Sequence, residues 1–557
     1  MKILLTTILA IFLIQIQVSV AQSSSHGEIK GPFTWKSNIY PETQRQYWIY
    51  VPSQYDATRA ACLMVVQDGL SRATGWHLPQ ILDSLIDLKK IPPMIGLFVD
   101  HGTVTPVMEK AYPRYNRSFE YDAMGDRYAR FLVEELLPEL QRSYNISSDP
   151  NDRSIAGASS GAICAFNVAW ERPDKFRRVL STIGTYVGLR GADEFVTLVR
   201  KTESKPLRVY LEDGNQDLNI YAGDWWMSNQ SMLSALTYAG YEVNHAWGTG
   251  GHDSKHAITI LADALVWLWK DYPTPVDTHK GVSARINLLL ENEAWHEVGL
   301  NGINASKLAV NNHGDIFFAA GQNIYKIGED NNVKMQLKLK SNGDAIAATA
   351  DDMLYVSLPQ QRKIISIHPS GKVADEIADC SAAYLCASTK GLYFTETVKD
   401  RIGFYDFKTR KITYHNILRP TSLAISAEKT FLHVGNDNTR FGHSFRINND
   451  GLLDAGQEYV YYHESYDQKK QGQGGMSVDA ENLLYTATGS GLQVADQLGR
   501  VNFIFSGLPK IIDDAKLAGS ELNMLYVTSN GKLFRRKISA KGTTPFGAPV
   551  SPPKPGL

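Results

Sequence analysis

From about Pro32 to Trp269, short apolar runs alternate with longer stretches whose apolar residues recur at helical spacing. Tyr47 to Val51, Cys62 to Val66, Met94 to Val99, Arg153 to Ala156, Val179 to Ile183, Leu207 to Leu211 and Glu242 to Ala246 predict strands. Tyr128 to Tyr144, Ala162 to Glu171, Met227 to Ala239 and Ala257 to Trp269 predict helices. This alternation predicts a mostly parallel sheet covered on both faces. Beyond Tyr272-Pro273-Thr274-Pro275 the helical pattern largely stops, and the stretch up to Gly281 reads as a linker. The remainder is β. Apolar pairs ending in Phe317, Tyr355, Tyr393, His433, Tyr485 and Tyr526 recur about every 40 residues. A longer step after His433 predicts an insertion around Tyr461 to Gln473. These repeats predict a six-bladed propeller, because a four-stranded blade buries its faces only against its neighbours.

Composition changes little in this picture. Of 557 residues, 43% are hydrophobic and 21% charged, the balance of an ordinary globular chain. The net charge of −1 supplies no field to draw in nucleic acid or an anionic membrane. The N-terminus adds a destination. Met1-Lys2, an apolar run from Ile3 to Ile14, and Ser19-Val20-Ala21 read as a secretory leader cut after Ala21. No second apolar run of about 18 residues follows, so a periplasmic or extracellular protein without an integral membrane segment is expected. Four cysteines, Cys62, Cys164, Cys380 and Cys386, do not make a disulfide framework. Cys380 and Cys386 read as buried thiols, a bridge between them being the alternative.

The chemistry sits in Gly157-Ala158-Ser159-Ser160-Gly161, a G-x-S-x-G between a predicted strand and a predicted helix. Such a turn is tight enough that a Cβ at either glycine would crowd the backbone, and it lifts the Ser159 hydroxyl above the sheet. In this arrangement an acid and then a histidine follow the nucleophile along the chain. His252, in Gly250-Gly251-His252-Asp253, is the expected general base, with His256 as fallback. The acid lies in Glu212-Asp213-Gly214-Asn215-Gln216-Asp217. Asp217 is preferred because it reaches past the strand end, with Asp213 and Glu212 as alternatives. An oxyanion hole needs two amide donors. One is expected from Ser160 and the other from Leu70 or Gly69, in the loop Gln67-Asp68-Gly69-Leu70.

With those stretches, and with Arg117-Ser118-Phe119-Glu120-Tyr121, residues from about 30 to 272 resemble the enterochelin-esterase and esterase-D group of α/β-hydrolases. That group includes feruloyl and acetyl-xylan esterases and mycolyltransferases. Asp68-Gly69-Leu70 resembles the mycolyltransferase loop whose Leu amide serves the oxyanion hole, which favours Leu70. The resemblance implies a metal-independent serine esterase acting on acylated sugars or siderophore-like lactones. Arg117 and Glu120 read either as a buried pair bracing the pocket or as an ordinary ion pair. Trp225, Trp226 and Trp247 are candidates for a substrate platform, core packing being the alternative.

Asn312-His313-Gly314-Asp315-Ile316-Phe317-Phe318, Gly475-Met476-Ser477-Val478-Asp479 and Gly491-Leu492-Gln493-Val494 resemble the SMP-30, gluconolactonase and LRE-like propellers. That family holds a divalent metal in the central channel and hydrolyses sugar lactones. At the positions of its metal ligands this chain carries Ser306, Ala382, Thr421 and Gly474, with Asp344 at one further Asn position. Hard divalent cations take several oxygen ligands, usually including carboxylate, so no metal is expected. The resulting boundaries are a leader (1–21), an α/β-hydrolase domain (27–275), a linker (276–284), a six-bladed propeller (285–540) and a Pro-rich tail (541–557), of which Pro549 to Leu557 is expected to be extended and poorly ordered. The expected function is an exported serine carboxylic-ester hydrolase removing acetyl or feruloyl groups from carbohydrate, the propeller serving as a binding module. A metal-dependent lactonase in the propeller and an enterochelin-like trilactone esterase are the alternatives. Oligomeric state is not legible.

Overall fold

The computed structural model describes residues 26–279, 281–283, 285–328, 330–464 and 472–555. The leader expected over 1–21 lies outside the described residues, as do 465–471 of the expected insertion.

Cys62–Gln67 is buried along its whole length, and so are Met94–Val99 and Arg153–Ala158. Such strands persist only where both faces are covered. Alternate side chains of Cys62–Gln67 accordingly enter two different cores: Leu63 and Val65 one, Met64 and Val66 the other. The sheet runs Glu242–Gly248, Arg208–Gly214, Arg178–Thr182, Arg153–Ala158, Cys62–Gln67, Met94–Val99, Thr43–Val51. Its first six strands are parallel. Thr43–Val51 joins antiparallel, and Glu28–Ser37 pairs antiparallel with it. Helices Leu78–Asp87 and Lys255–Leu268 pack into one core, Ser160–Glu171 and Trp225–Ala239 into the other. The helix predicted over Tyr128 to Tyr144 is instead helical at Arg127–Arg130, π-helical at Phe131–Leu136 and α-helical again at Leu137–Gln141. Pro138 cannot donate to the preceding turn, which accounts for the break in the regular ladder. Parallel strands all finish at one edge, so the loops after Arg153–Ala158, Arg208–Gly214 and Glu242–Gly248 meet there.

The second half forms six four-stranded antiparallel sheets. The repeat residues Phe317, Tyr355, Tyr393, His433, Tyr485 and Tyr526 all fall in the second strand of their blades. The first strands of successive blades touch one another in a ring and line the central channel. His296–Val298, the first strand of this half, pairs with Lys532–Lys537 and completes the last blade. All four cysteines are buried and free.

The tail lies extended along the propeller, where Thr543 N–H donates to the Val478 carbonyl. Within the part expected to be poorly ordered, Val550 N–H donates to the Ala427 carbonyl and Gln497 holds that of Pro553. Phe546 is buried against Phe317, Ile346 and Val356. These bonds use two N–H groups and a carbonyl of the tail, and one buried aromatic ring offsets part of the ordering cost.

The halves meet through Thr202 and Glu203. Glu203 N–H donates to the Ile504 carbonyl, and its carboxylate accepts Arg536 Nη1 at 2.8 and 3.0 Å and Ser506 N–H at 3.1 Å. Lys510 bridges to Glu171 at 2.9 Å. Glu171 ends its helix, and Glu203 precedes Arg208–Gly214, so the contact lies toward the edge where the strands begin. At about 3.3 Å per residue, strands of this length put that edge about 20 Å from the edge where they finish. Replacing Glu203 by Ala is expected to speed proteolysis of the 276–284 segment and loosen domain docking in small-angle scattering. Hydrolysis of a small ester should be unchanged.

Candidate active site

Ser159 follows Arg153–Ala158 directly and precedes helix Ser160–Glu171. Its φ of 58° lies in the left-handed region, costly for a residue with a Cβ and sustained here by tight packing. A Cβ on Gly157 would stand 2.1 Å from the Gly161 carbonyl oxygen, and one on Gly161 3.1 Å from Asp68 Oδ2. Gly157 is therefore a steric requirement of the turn, while a Cβ on Gly161 would press on the Asp68 and Gln67 side chains and ask them to give by a few tenths of an ångström.

At the strand tips the structure brings together Ser159, His252 and Asp217. His252 Nε2 lies 2.9 Å from Ser159 Oγ, and its Nδ1 lies 2.6 Å from Asp217 Oδ1. With Nδ1–H donating to the carboxylate, Nε2 is left to accept the hydroxyl proton. Thr185 Oγ1 sits 3.3 Å from Ser159 Oγ and accepts Trp225 Nε1–H at 3.2 Å. Burial opposes charge on Asp217, but the hydrogen bonds from His252 and the Leu218 N–H favour it and the carboxyl lies below its usual range.

The other acids of this loop do not touch His252. Glu212 accepts His256 Nδ1–H at 2.8 Å, and burial pushes it up to about 7 against that hydrogen bond. His256, the fallback base, is thus engaged elsewhere. Asp213 is wholly buried, and burial together with the neighbouring Asp217 pushes it up to about 9.

Ser160 opens its helix, and Leu70 is second in helix Gly69–Gly75. First-turn amides have no intrahelical partner, so both N–H groups are open to an incoming oxygen. Asp68 and Gly69 both have positive φ, 63° and 58°, and fold this turn beside the elbow. Asp68, Ser71, Arg72, Arg117, Ile183 and Ser254 line a cleft of about 420 Å³ with Ser159 and His252.

Arg117 and Glu120 do not pair with each other, which corrects the sequence reading. Arg117 makes a two-pronged bridge to Asp68 at 2.7 and 2.8 Å and faces the cleft. Glu120 points inward, where it meets Arg45 at 2.6 and 3.1 Å, both side chains being fully buried. Their partners, Asp68 and Arg45, are far off in sequence, which hid them from local reading. The tryptophans also divide. Trp225 is buried and packs edge-on against His252 at 5.8 Å, whereas Trp226 packs against Trp247. Neither Trp226 nor Trp247 lines the cleft.

In the propeller, Ser306, Ala382, Thr421 and Gly474 stand at or just before the first strands of their blades. The Thr421 hydroxyl is committed to the Gln473 carbonyl at 2.6 Å. Asp344 is bridged to Lys307 at 2.6 Å. Farther along the channel, Lys516 Nζ contacts Tyr384 Oη, Asp514 Oδ1 and the Met476 carbonyl at 2.6, 2.7 and 2.8 Å. The residues at the four positions do not fit a divalent cation: none carries a carboxylate, and a lysine ammonium already neutralises Asp514 nearby.

Residues 38–262 match the family model described as putative esterase. The iron(III) enterobactin esterase of Dickeya dadantii (strain 3937) is 27% identical over 249 residues, covering 42% of this chain and 53% of that protein. That of Escherichia coli (strain K12) is 26% identical over 243 residues, covering 42% and 56%. The chain thus spans about half the length of these curated relatives. Among solved structures, enterochelin esterase from Shigella flexneri is 22% identical with a TM-score of 0.36, covering 44% of this chain and 58% of that one. A gluconolactonase from Xanthomonas campestris is 15% identical with a TM-score of 0.40, covering 47% and 93%. The first half of the chain is an esterase-like α/β domain, and the second is a six-bladed propeller.

Because removal of one partner strands the other charge in the interior, Glu120→Ala is expected to destabilise the α/β domain by about 3–5 kcal/mol. Calorimetric unfolding of the full chain should show it as a lowered first transition.

Proposed function

We propose that the chain is a serine carboxylic-ester hydrolase whose reaction needs no metal. The observation that carries this is the hydrogen-bonded line Ser159, His252, Asp217 at the strand tips. Ser159 Oγ attacks the ester carbonyl while its proton passes to His252 Nε2, and the buried Asp217 carboxylate stabilises the imidazolium. The Ser160 and Leu70 amides receive the negative charge on the carbonyl oxygen. Collapse expels the alcohol, which takes the proton from Nε2 and leaves an acyl group on Ser159. Water, deprotonated by His252, then releases the acid and restores the hydroxyl.

For substrate, we propose acetyl or feruloyl groups carried on carbohydrate, with Arg117 at the cleft wall and Trp225 behind His252. The propeller serves as a binding module set back from the cleft, and the leader-like residues 1–21 support export to the periplasm or beyond. A siderophore trilactone is the second reading, favoured by the names of the curated relatives.

Hydrolysis of p-nitrophenyl acetate, methyl ferulate and a catecholate trilactone, each with a chelator present, tests the proposal. Wild type should remain active, and Ser159→Ala should lose at least about 1,000-fold in kcat. Activity that ignores Ser159 but falls with the chelator would move the chemistry into the propeller.

A further inference from the structure

Asp217 is only half satisfied. Its Oδ1 accepts both His252 Nδ1–H and Leu218 N–H at 2.6 Å, whereas Oδ2 is buried without a donor. The turn in which Asp217 N–H donates to the Gly214 carbonyl folds Asp217 back toward Asp213, and each carboxyl acts on the charge of the other. Asp213 itself is wholly buried. It accepts Gly214 N–H at 2.7 Å and Asn229 Nδ2–H at 2.9 Å, and no cation pairs with it among the described residues. Two buried carboxylates in contact do not both ionise, and one proton between them removes the repulsion. Asp217 faces the imidazole, which favours its charge, so the proton belongs to Asp213.

We propose that Asp213 is a positioning residue: as a neutral carboxylic acid it donates a hydrogen bond to Asp217 Oδ2 and so fixes the Asp217 to His252 contact. This rests on the triad reading above. The groups around it are consistent with that state. Glu212, next along the strand, is turned to His256 and adds a further unfavourable charge, while helix Trp225–Ala239 presents only the neutral Asn229. Burial and the Asp217 charge push the Asp213 carboxyl up to about 9, so it holds its proton at neutral pH and loses it as pH rises through that value. Ionisation then places two negative charges in contact and breaks the alignment of Asp217.

The test is a kcat profile from about pH 6 to 10.5, net of spontaneous hydrolysis, for wild type, Asp213→Asn, Asp213→Ala and Ser159→Ala. Wild-type kcat should fall with a midpoint near pH 9, with KM changing less than about twofold. Asp213→Asn, a neutral donor of the same shape, should keep at least about a third of wild-type kcat at pH 7 and lose the alkaline fall. Asp213→Ala should lose about 10- to 100-fold in kcat. An Asn variant as impaired as the Ala variant at pH 7, or one that keeps the alkaline fall, overturns the proposal. Should the Asn variant not fold, the wild type decides: kcat unchanged up to pH 10 overturns it as well. Full activity in Ser159→Ala would instead discard the triad reading, a separate result.

Discussion

One steric constraint organises the catalytic half. Ser159 is held at positive φ in a turn so tight that a Cβ on Gly157 would run into the Gly161 backbone. That turn requires the strand Arg153–Ala158 to be clamped between parallel neighbours and helix Ser160–Glu171 to be pinned on the sheet. The two cores thus do more than stabilise the domain. They sustain a backbone strain of order 1–3 kcal/mol at the one residue whose hydroxyl must project. His252 and Asp217 arrive at the same place because their strands end at the same edge.

How much of this was legible in the sequence follows from the range of each interaction. Strand and helix periodicities are local, and the parallel core follows from them. The elbow is local too, five residues with a steric logic of their own. The order of acid and base came from the chain order that accompanies such an elbow, and the shared edge of the strand ends pointed to their loops. Pairings across long separations were not legible. Arg117 finds Asp68 and Glu120 finds Arg45 because a short helix turns its two sides to different neighbours, which spacing along the chain does not reveal. The edge strand Glu28–Ser37 is mostly exposed and gives no clear alternation, and the helices Leu78–Asp87 and Phe195–Lys201 are only ten and seven residues long, so none of the three was predicted. The anchoring of Val550 and Pro553 was not legible either, because their partners Ala427 and Gln497 lie far back in the chain.

The two halves deal with buried charge in contrasting ways. In the propeller channel the Asp514 carboxylate is matched by Lys516 and by the Leu308 and Ala515 N–H groups, a closed set with no demand left over. In the α/β domain the acid loop concentrates Glu212, Asp213 and Asp217 against the two histidines. Interiors tolerate such crowding only where protonation is shared out unequally, the condition under which a carboxylate and an imidazole acquire different tasks.

The last blade of the propeller borrows His296–Val298 from the beginning of the domain and joins it to Lys532–Lys537. As the chain leaves the ribosome, the α/β half already has every strand of its sheet, while the second half stays an open arc with two unpaired ends. Only when Lys532–Lys537 emerges does the ring acquire its latch, and the wide separation in sequence makes that step slow to find and cooperative once found. A chain cut short before Lys532 would retain a finished esterase-like fold tethered to an arc with exposed strand edges, the kind of species that aggregates.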